Sequence, residues 1–154
     1  MTWFNAASSR DDILSVLPDY QAGFNALYNT LWQLQEIPPV TLELCRLRIA
    51  QLHCCDTEWQ RQEVDIPTVR RDALTSWHRS ERFNPGEQAC LAFAEVYAMD
   101  PQAITDEQAD AVKTAYGEPG LVALIEALGL FYGLTRLSQL WELSPENAQK
   151  GGLT

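Results

Sequence analysis

From about Glu118 to Leu143 the chain reads as a helix that is apolar nearly all round. A helix without a polar face must be covered on most of its sides, by its own domain or by a neighbouring subunit. No other stretch constrains the fold as much. Small residues at Ala123, Ala127, Gly129 and Gly133 allow another backbone to approach closely. The helix is therefore expected to be the centre of the core, a subunit contact, or both. Its most apolar part, Leu121 to Leu134, is interrupted by Glu126. At about 14 residues, that part falls short of the roughly 20 needed to span a bilayer.

A period of 3.6 runs through the rest of the chain, and no strand-length run of alternating β-branched residues interrupts it. Pro18 reads as the first residue of a helix with Tyr20, Phe24, Leu27, Tyr28, Leu31 and Leu34 on its buried face. Pro38-Pro39 ends that helix, and Pro39 opens a second one to about Cys54. Along it, Leu42, Cys45, Leu47, Ile49 and Leu52 are interleaved with Glu43, Arg46 and Arg48. A short helix from about Asp56 to Glu63 follows, with Asp56 as N-cap. Thr68 to Trp77 reads as weakly amphipathic helix. Asn84-Pro85-Gly86-Glu87 is a cap-like entry to a helix closed by Asp100-Pro101. Thr105 to Gln108 form a capping box, and Gly117 stops the helix they open. The expected fold class is all-α, one helical domain over residues 1–154 with a frayed tail from Ser144.

The length of 154 residues suits one core. The net charge of −10, with Lys113 and Lys150 the only lysines, argues against nucleic acid and anionic membranes as partners, because such binding rests on clustered cations. The N-terminus has neither a basic nor an apolar leader region, so a cytoplasmic protein is expected. Cys45, Cys54, Cys55 and Cys90 are not spaced as a disulfide framework. With His53 and His78 they form no zinc pattern, so neither metal nor cofactor is expected.

Residues 43–62 are the segment able to carry chemistry. They place a carboxylate, two arginines, a histidine and vicinal cysteines around one helix end and the next helix start. A thiol at a helix N-terminus feels the positive end of the dipole, which favours the thiolate; Cys55 is best placed for this. Asp56 and Glu58 oppose it. Arg46, three residues after Glu43, can pair with it. That pair is either structural or an anchored carboxylate relaying protons beside the thiol. Inert packing is the default for Cys45 and Cys90. A Cys54–Cys55 disulfide would close a strained ring.

These residues resemble the carboxymuconolactone decarboxylase/AhpD-like family. Members with a peroxidase site carry Glu-x2-Arg-x-Arg, then Gln, a Gly, and Cys-x-x-Cys followed three residues later by His. Glu43, Arg46, Arg48 and Gln51 match, and Cys55 falls on the first cysteine, twelve residues after Glu43. Asp72-Ala-Leu-x-x-Trp77, Phe83-Asn-Pro-x-Glu-x-Ala89-Cys-Leu-Ala-Phe-Ala-Glu95 and Thr135-Arg136-Leu137 are similar to later family segments, so that residues of about 14–143 are covered. Three positions depart: Cys54 stands where the family has Gly, Glu58 on the second cysteine, and Gln62 on the histidine.

The resemblance implies thiol-dependent reduction of peroxides. Cys55 would be the one remaining catalytic thiol, Glu43 the relay, His53 the stand-in imidazole, and an external thiol the reductant. It also implies a homo-oligomer. Two alternatives stay open: a non-redox member that binds or transforms a small molecule, with Arg46, Arg48 and Arg136 able to supply charge, and an inactive oligomeric scaffold.

Overall fold

Prolines and polar caps set the helix starts in the computed structural model, which describes residues 3, 4 and 8–144; the tail expected from Ser144 lies outside them except for Ser144 itself. Seven helices follow in order: α1 (Arg10–Leu14), α2 (Pro18–Leu31), α3 (Pro39–Leu52), α4 (Asp56–Gln60), α5 (Thr68–Ala73), α6 (Pro85–Met99) and α7 (Asp106–Leu140). Among the described residues there is no strand. Asn84 and Glu87 close a reciprocal capping box on α6, and Thr105 and Gln108 do the same on α7. The expected Thr68–Trp77 helix divides at Leu74, where a 3-10 turn to Arg79 takes over with Ser76 non-helical inside it. The all-α expectation holds.

The core is a packed triangle of α3, α6 and α7. It is filled by Leu42, Leu47 and Ile49 of α3, Leu91 and Ala94 of α6, and Leu124, Leu128 and Phe131 of α7. Its most enclosed member is α3, which buries an unbroken run from Thr41 to Leu47 that includes Glu43 and Arg46. By contrast, α7 buries one side and leaves Val122 and Ile125 exposed on the other. It is the one described helix long and apolar enough to cross a membrane. The side formed by Leu124, Ala127, Leu128, Phe131 and Leu134 is spent on the protein core.

One boundary and one buried face differ from expectation for physical reasons. Gly117 does stop a helix, at φ 71° and ψ 178°, but Pro119 restarts it at once, so the two segments of α7 run on from one another. On α2 only Tyr28 and Leu31 of the expected face are buried; Phe24 and Leu34 are half-buried, and Tyr20 and Leu27 are exposed. α2 lies over the body through the Tyr28–Trp32–Phe131 aromatic contacts and leaves a groove beside α7.

Gly117 occupies backbone space that is open essentially to glycine alone. Gly117→Ala is expected to lower the unfolding free energy by about 1–3 kcal/mol, read from urea denaturation.

Candidate functional site

Arg46 is the centre of the segment that carries the resemblance. It projects from α3 into the interior and is 1% exposed. Nε donates to Glu43 Oε2 at 2.8 Å and Nη2 to Glu43 Oε1 at 2.7 Å, a forked pair one helical turn apart. Nη1 donates to the Glu58 carbonyl at 2.7 Å and to Glu58 Oε2 at 3.3 Å. Nη2 also donates to the Arg61 carbonyl at 2.6 Å. The guanidinium therefore satisfies carbonyls at the end of α4, and this is why α4 stops at Gln60 rather than at Glu63. Burial works against the charge on Arg46, but the hydrogen bonds and charge of Glu43 outweigh it and hold its pKa above the ordinary value.

The altered position Glu58 is not a bystander. Its Oε1 accepts from Ser138 Oγ at 2.7 Å, which ties α4 to α7. Glu43 is fully buried and also accepts from the Glu63 amide at 3.3 Å. Burial raises its pKa, and the hydrogen bonds and charge of Arg46 offset only part of that rise. Glu63 pairs in turn with Arg61. The Tyr28 ring of α2 covers this group; its hydroxyl is buried with no hydrogen-bond partner, and burial, followed by the charge of Glu63, raises its pKa.

Cys55 caps α4 in place of the expected Asp56. It is 4% exposed, and its Sγ lies 3.9 Å from the Thr135 carbonyl of α7. Burial raises its pKa; the charges of Glu58 and Asp56 act the same way, while the amides of Glu58 and Thr57 oppose them without prevailing. The helix-start effect on the thiol is thus present but outweighed. Thr135 Oγ1 is buried and without a partner.

Cys54 stands at the αL position of a Schellman turn that ends α3. Its φ is 53°, the Cys55 amide donates to the Ala50 carbonyl at 2.9 Å, and the Cys54 amide donates to the Gln51 carbonyl at 3.2 Å. Glycine takes this conformation without penalty, a physical reason for the family's Gly there. Cys54 is exposed, and all four cysteines are free. Burial raises the thiols of Cys45 and Cys90, the latter to about 12, in keeping with inert packing.

The other expected residues lie outside this network. His53 ends α3 with its ring edge-on to Tyr132 at 5.3 Å, and its carbonyl accepts from Gln139 Nε2 at 2.7 Å. Its Nε2 is buried without a partner. Burial and then Arg136 lower its pKa, favouring neutral imidazole. Gln62 is exposed. Glu43, engaged by Arg46 and the Glu63 amide, makes no hydrogen bond to Cys55 or His53. The sequence alone does not single out Ser138 or Thr135 as site residues; their only signal is a small hydroxyl side chain in a largely apolar helix.

A second network joins positions of the resemblance that are far apart in sequence. Glu95 Oε1 accepts from Arg48 Nε at 2.7 Å and from Trp77 Nε1 at 2.7 Å. Arg48 also bonds Gln51, whose Nε2 donates to Thr75 Oγ1 at 2.9 Å. α3, α6 and the 3-10 turn are thereby held together. Among the described residues no group of side chains is arranged to hold a metal ion.

No family model matches the chain, and no curated protein sequence does. Among solved structures it is similar to a debrominase, Bmp8, determined as a cysteine-to-alanine variant in complex with 2,3,4-tribromopyrrole. The TM-score is 0.78 at 17% identity, covering 90% of this chain and 76% of that one. At that identity the likeness shows a shared fold, a helical one.

Replacing the αL residue tests the reading of the turn. Cys54→Gly is expected to raise the unfolding free energy by about 0.5–1 kcal/mol, strain relief exceeding the entropy cost of glycine. A loss of stability in chemical denaturation would contradict it.

Proposed function

We propose that the chain is an AhpD-like/carboxymuconolactone decarboxylase family member that transforms a small molecule through a single thiol, Cys55, with an external thiol as reductant. The observation that carries this reading is the fate of the second-cysteine position: Glu58 there is held by Arg46 and Ser138, so the site retains one inward-facing thiol. The motif matches along the chain and the fold shared with a debrominase support it. Free thiols fit a reducing, cytoplasmic setting.

With a hydroperoxide, the Cys55 thiolate attacks the terminal oxygen. An S–O bond forms, the O–O bond breaks, and the alkoxide leaves as alcohol after taking a proton. Sulfur is oxidised by two electrons to sulfenic acid. A first external thiol then forms a mixed disulfide and releases water; a second releases Cys55 and the external disulfide. Glu43, locked to Arg46, acts here as an anchor of the site, while neutral His53 is the nearby group able to accept a proton. Because Cys55 is covered and burial raises its pKa, the thiolate fraction is small and the reaction is slow at neutral pH.

A second reading is a non-redox transformation of a small molecule, favoured by the same covering of Cys55 and the engagement of Glu43.

Peroxide treatment with a dimedone-type trap, read by mass spectrometry, separates the two. The single-thiol reading expects a sulfenate on Cys55 whose yield rises with pH through and above the ordinary thiol range. It also expects peroxide consumption to be lost in Cys55→Ser and retained in Cys54→Ser. An unmodified Cys55 with undiminished consumption in Cys55→Ser would refute it.

A further inference from the structure

Arg10, the first residue of α1, is a buried cation whose charge nothing answers. It is 8% exposed, and among the described residues its guanidinium makes no hydrogen bond and no ion pair; Nη1 is shut off from solvent with nothing to donate to. Its central carbon lies 5.1 Å from the centre of the Tyr28 ring and 5.6 Å from that of Phe24. A ring face attracts a cation but does not replace an anionic acceptor, and a buried charge left unmatched is costly. The carboxylates nearby in sequence or in charge are placed elsewhere. Asp12 accepts from the Ser8 and Ser9 amides, and Asp11 is exposed. Glu63, whose charge acts on the Tyr28 hydroxyl, is paired with Arg61. Two more donors adjoin Arg10. The Tyr28 hydroxyl and Trp32 Nε1 are buried and also lack a partner, and their rings meet edge-on at 5.8 Å. Three neighbouring side chains thus hold donors in excess of acceptors, where native interiors pair such groups.

Space for the body of a ligand lies next to them. Phe24, stacked on Tyr28 at 5.6 Å, also walls a groove of about 480 Å³ between α2 and α7. Leu27, Leu130 and Leu134 line it with Phe24, and no charged side chain does. That volume falls within the range of small-molecule sites. We propose that Arg10, Tyr28 and Trp32 form a binding site for a small organic carboxylate, its apolar body in the groove and its head reaching past the Phe24 ring to the Arg10 guanidinium. A carboxylate supplies what the donors lack. Its two oxygens match the fork of the guanidinium and keep lone pairs for the Tyr28 hydroxyl and the Trp32 N–H. An uncharged head leaves the cation unmatched, and an ammonium head sets a second cation beside it. The net charge of −10 repels anions in general, so the affinity has to come from this local cation. The site goes beyond the single-thiol reading and does not depend on it, because neither Cys55 nor any reaction takes part in binding.

Three probes with one body and different heads test this by titration calorimetry at neutral pH: phenylbutyrate, phenylbutanol and phenylbutylammonium. The expected affinities fall in that order, with the carboxylate about tenfold or more above the alcohol. Arg10→Met keeps an apolar stem over the rings and removes the charge. It is expected to erase the preference for phenylbutyrate while leaving phenylbutanol binding unchanged. It is also expected to raise the melting temperature of the free protein, since an unmatched buried charge is gone. Tyr28→Phe deletes only the hydroxyl and is expected to weaken phenylbutyrate about three- to tenfold. Equal affinity for the three heads, tighter binding of the ammonium, no saturable binding of phenylbutyrate, or undiminished phenylbutyrate binding in Arg10→Met would overturn the proposal. So would a lower melting temperature of free Arg10→Met, which would show the guanidinium to be matched already.

Discussion

The guanidinium of Arg46 decides how the middle of this protein is put together. It is fully buried, and a buried charge is costly unless it is paired and its N–H groups are used. All five of its hydrogen bonds go to neighbours in three places: the Glu43 carboxylate one turn away, the Glu58 carbonyl and carboxylate, and the Arg61 carbonyl. Those bonds set the length of α4, the course of residues 61–63 and, through Glu58 and Ser138, the docking of α4 on α7. Such a network adds little net stability over a well-packed apolar core. It does penalise other arrangements of the same segments, because any other placement leaves a buried charge unmatched.

This geometry separates two features that the chemistry of the segment would otherwise combine. A carboxylate next to a thiol suggests a proton relay, but Glu43 is committed to Arg46 and to the Glu63 amide. The position that would hold a resolving thiol belongs to the same network, through Glu58. Cys55 remains, sulfur inward against Thr135, at a helix start whose favourable amides are outweighed by burial. The turn before it is held in a left-handed conformation by a residue that is not glycine. The covered thiol directly follows the strained turn.

The helix starts were legible because proline and capping residues act locally: Pro18, Pro39, Asn84 and Thr105 each sit where their side chains predict. The central place of α3 was not legible. Its interior charges, Glu43 and Arg46, resemble a solvated face until their partners from residues 58–63 are known. The contact of Glu58 with Ser138, 80 residues apart, leaves no local trace. The same limit applies to α7. Apolar content shows that it needs cover, but only the fold divides its surface into a side against α3 and α6 and a side carrying Glu118, Gly129 and Arg136. The left-handed turn at Cys54 gives a physical reason for a glycine at this position, and none for the cysteine that stands there.

The claim underlying this description is that the Glu58 carboxylate is a working part of the Arg46 network and ties α4 to α7. Measuring the unfolding free energy of Glu58→Cys under reducing conditions tests it most directly. Loss of the carboxylate leaves Ser138 Oγ without its acceptor and removes the weaker of two Arg46 Nη1 bonds, and the expected result is destabilisation by about 1–3 kcal/mol. An unchanged or increased stability would contradict the claim.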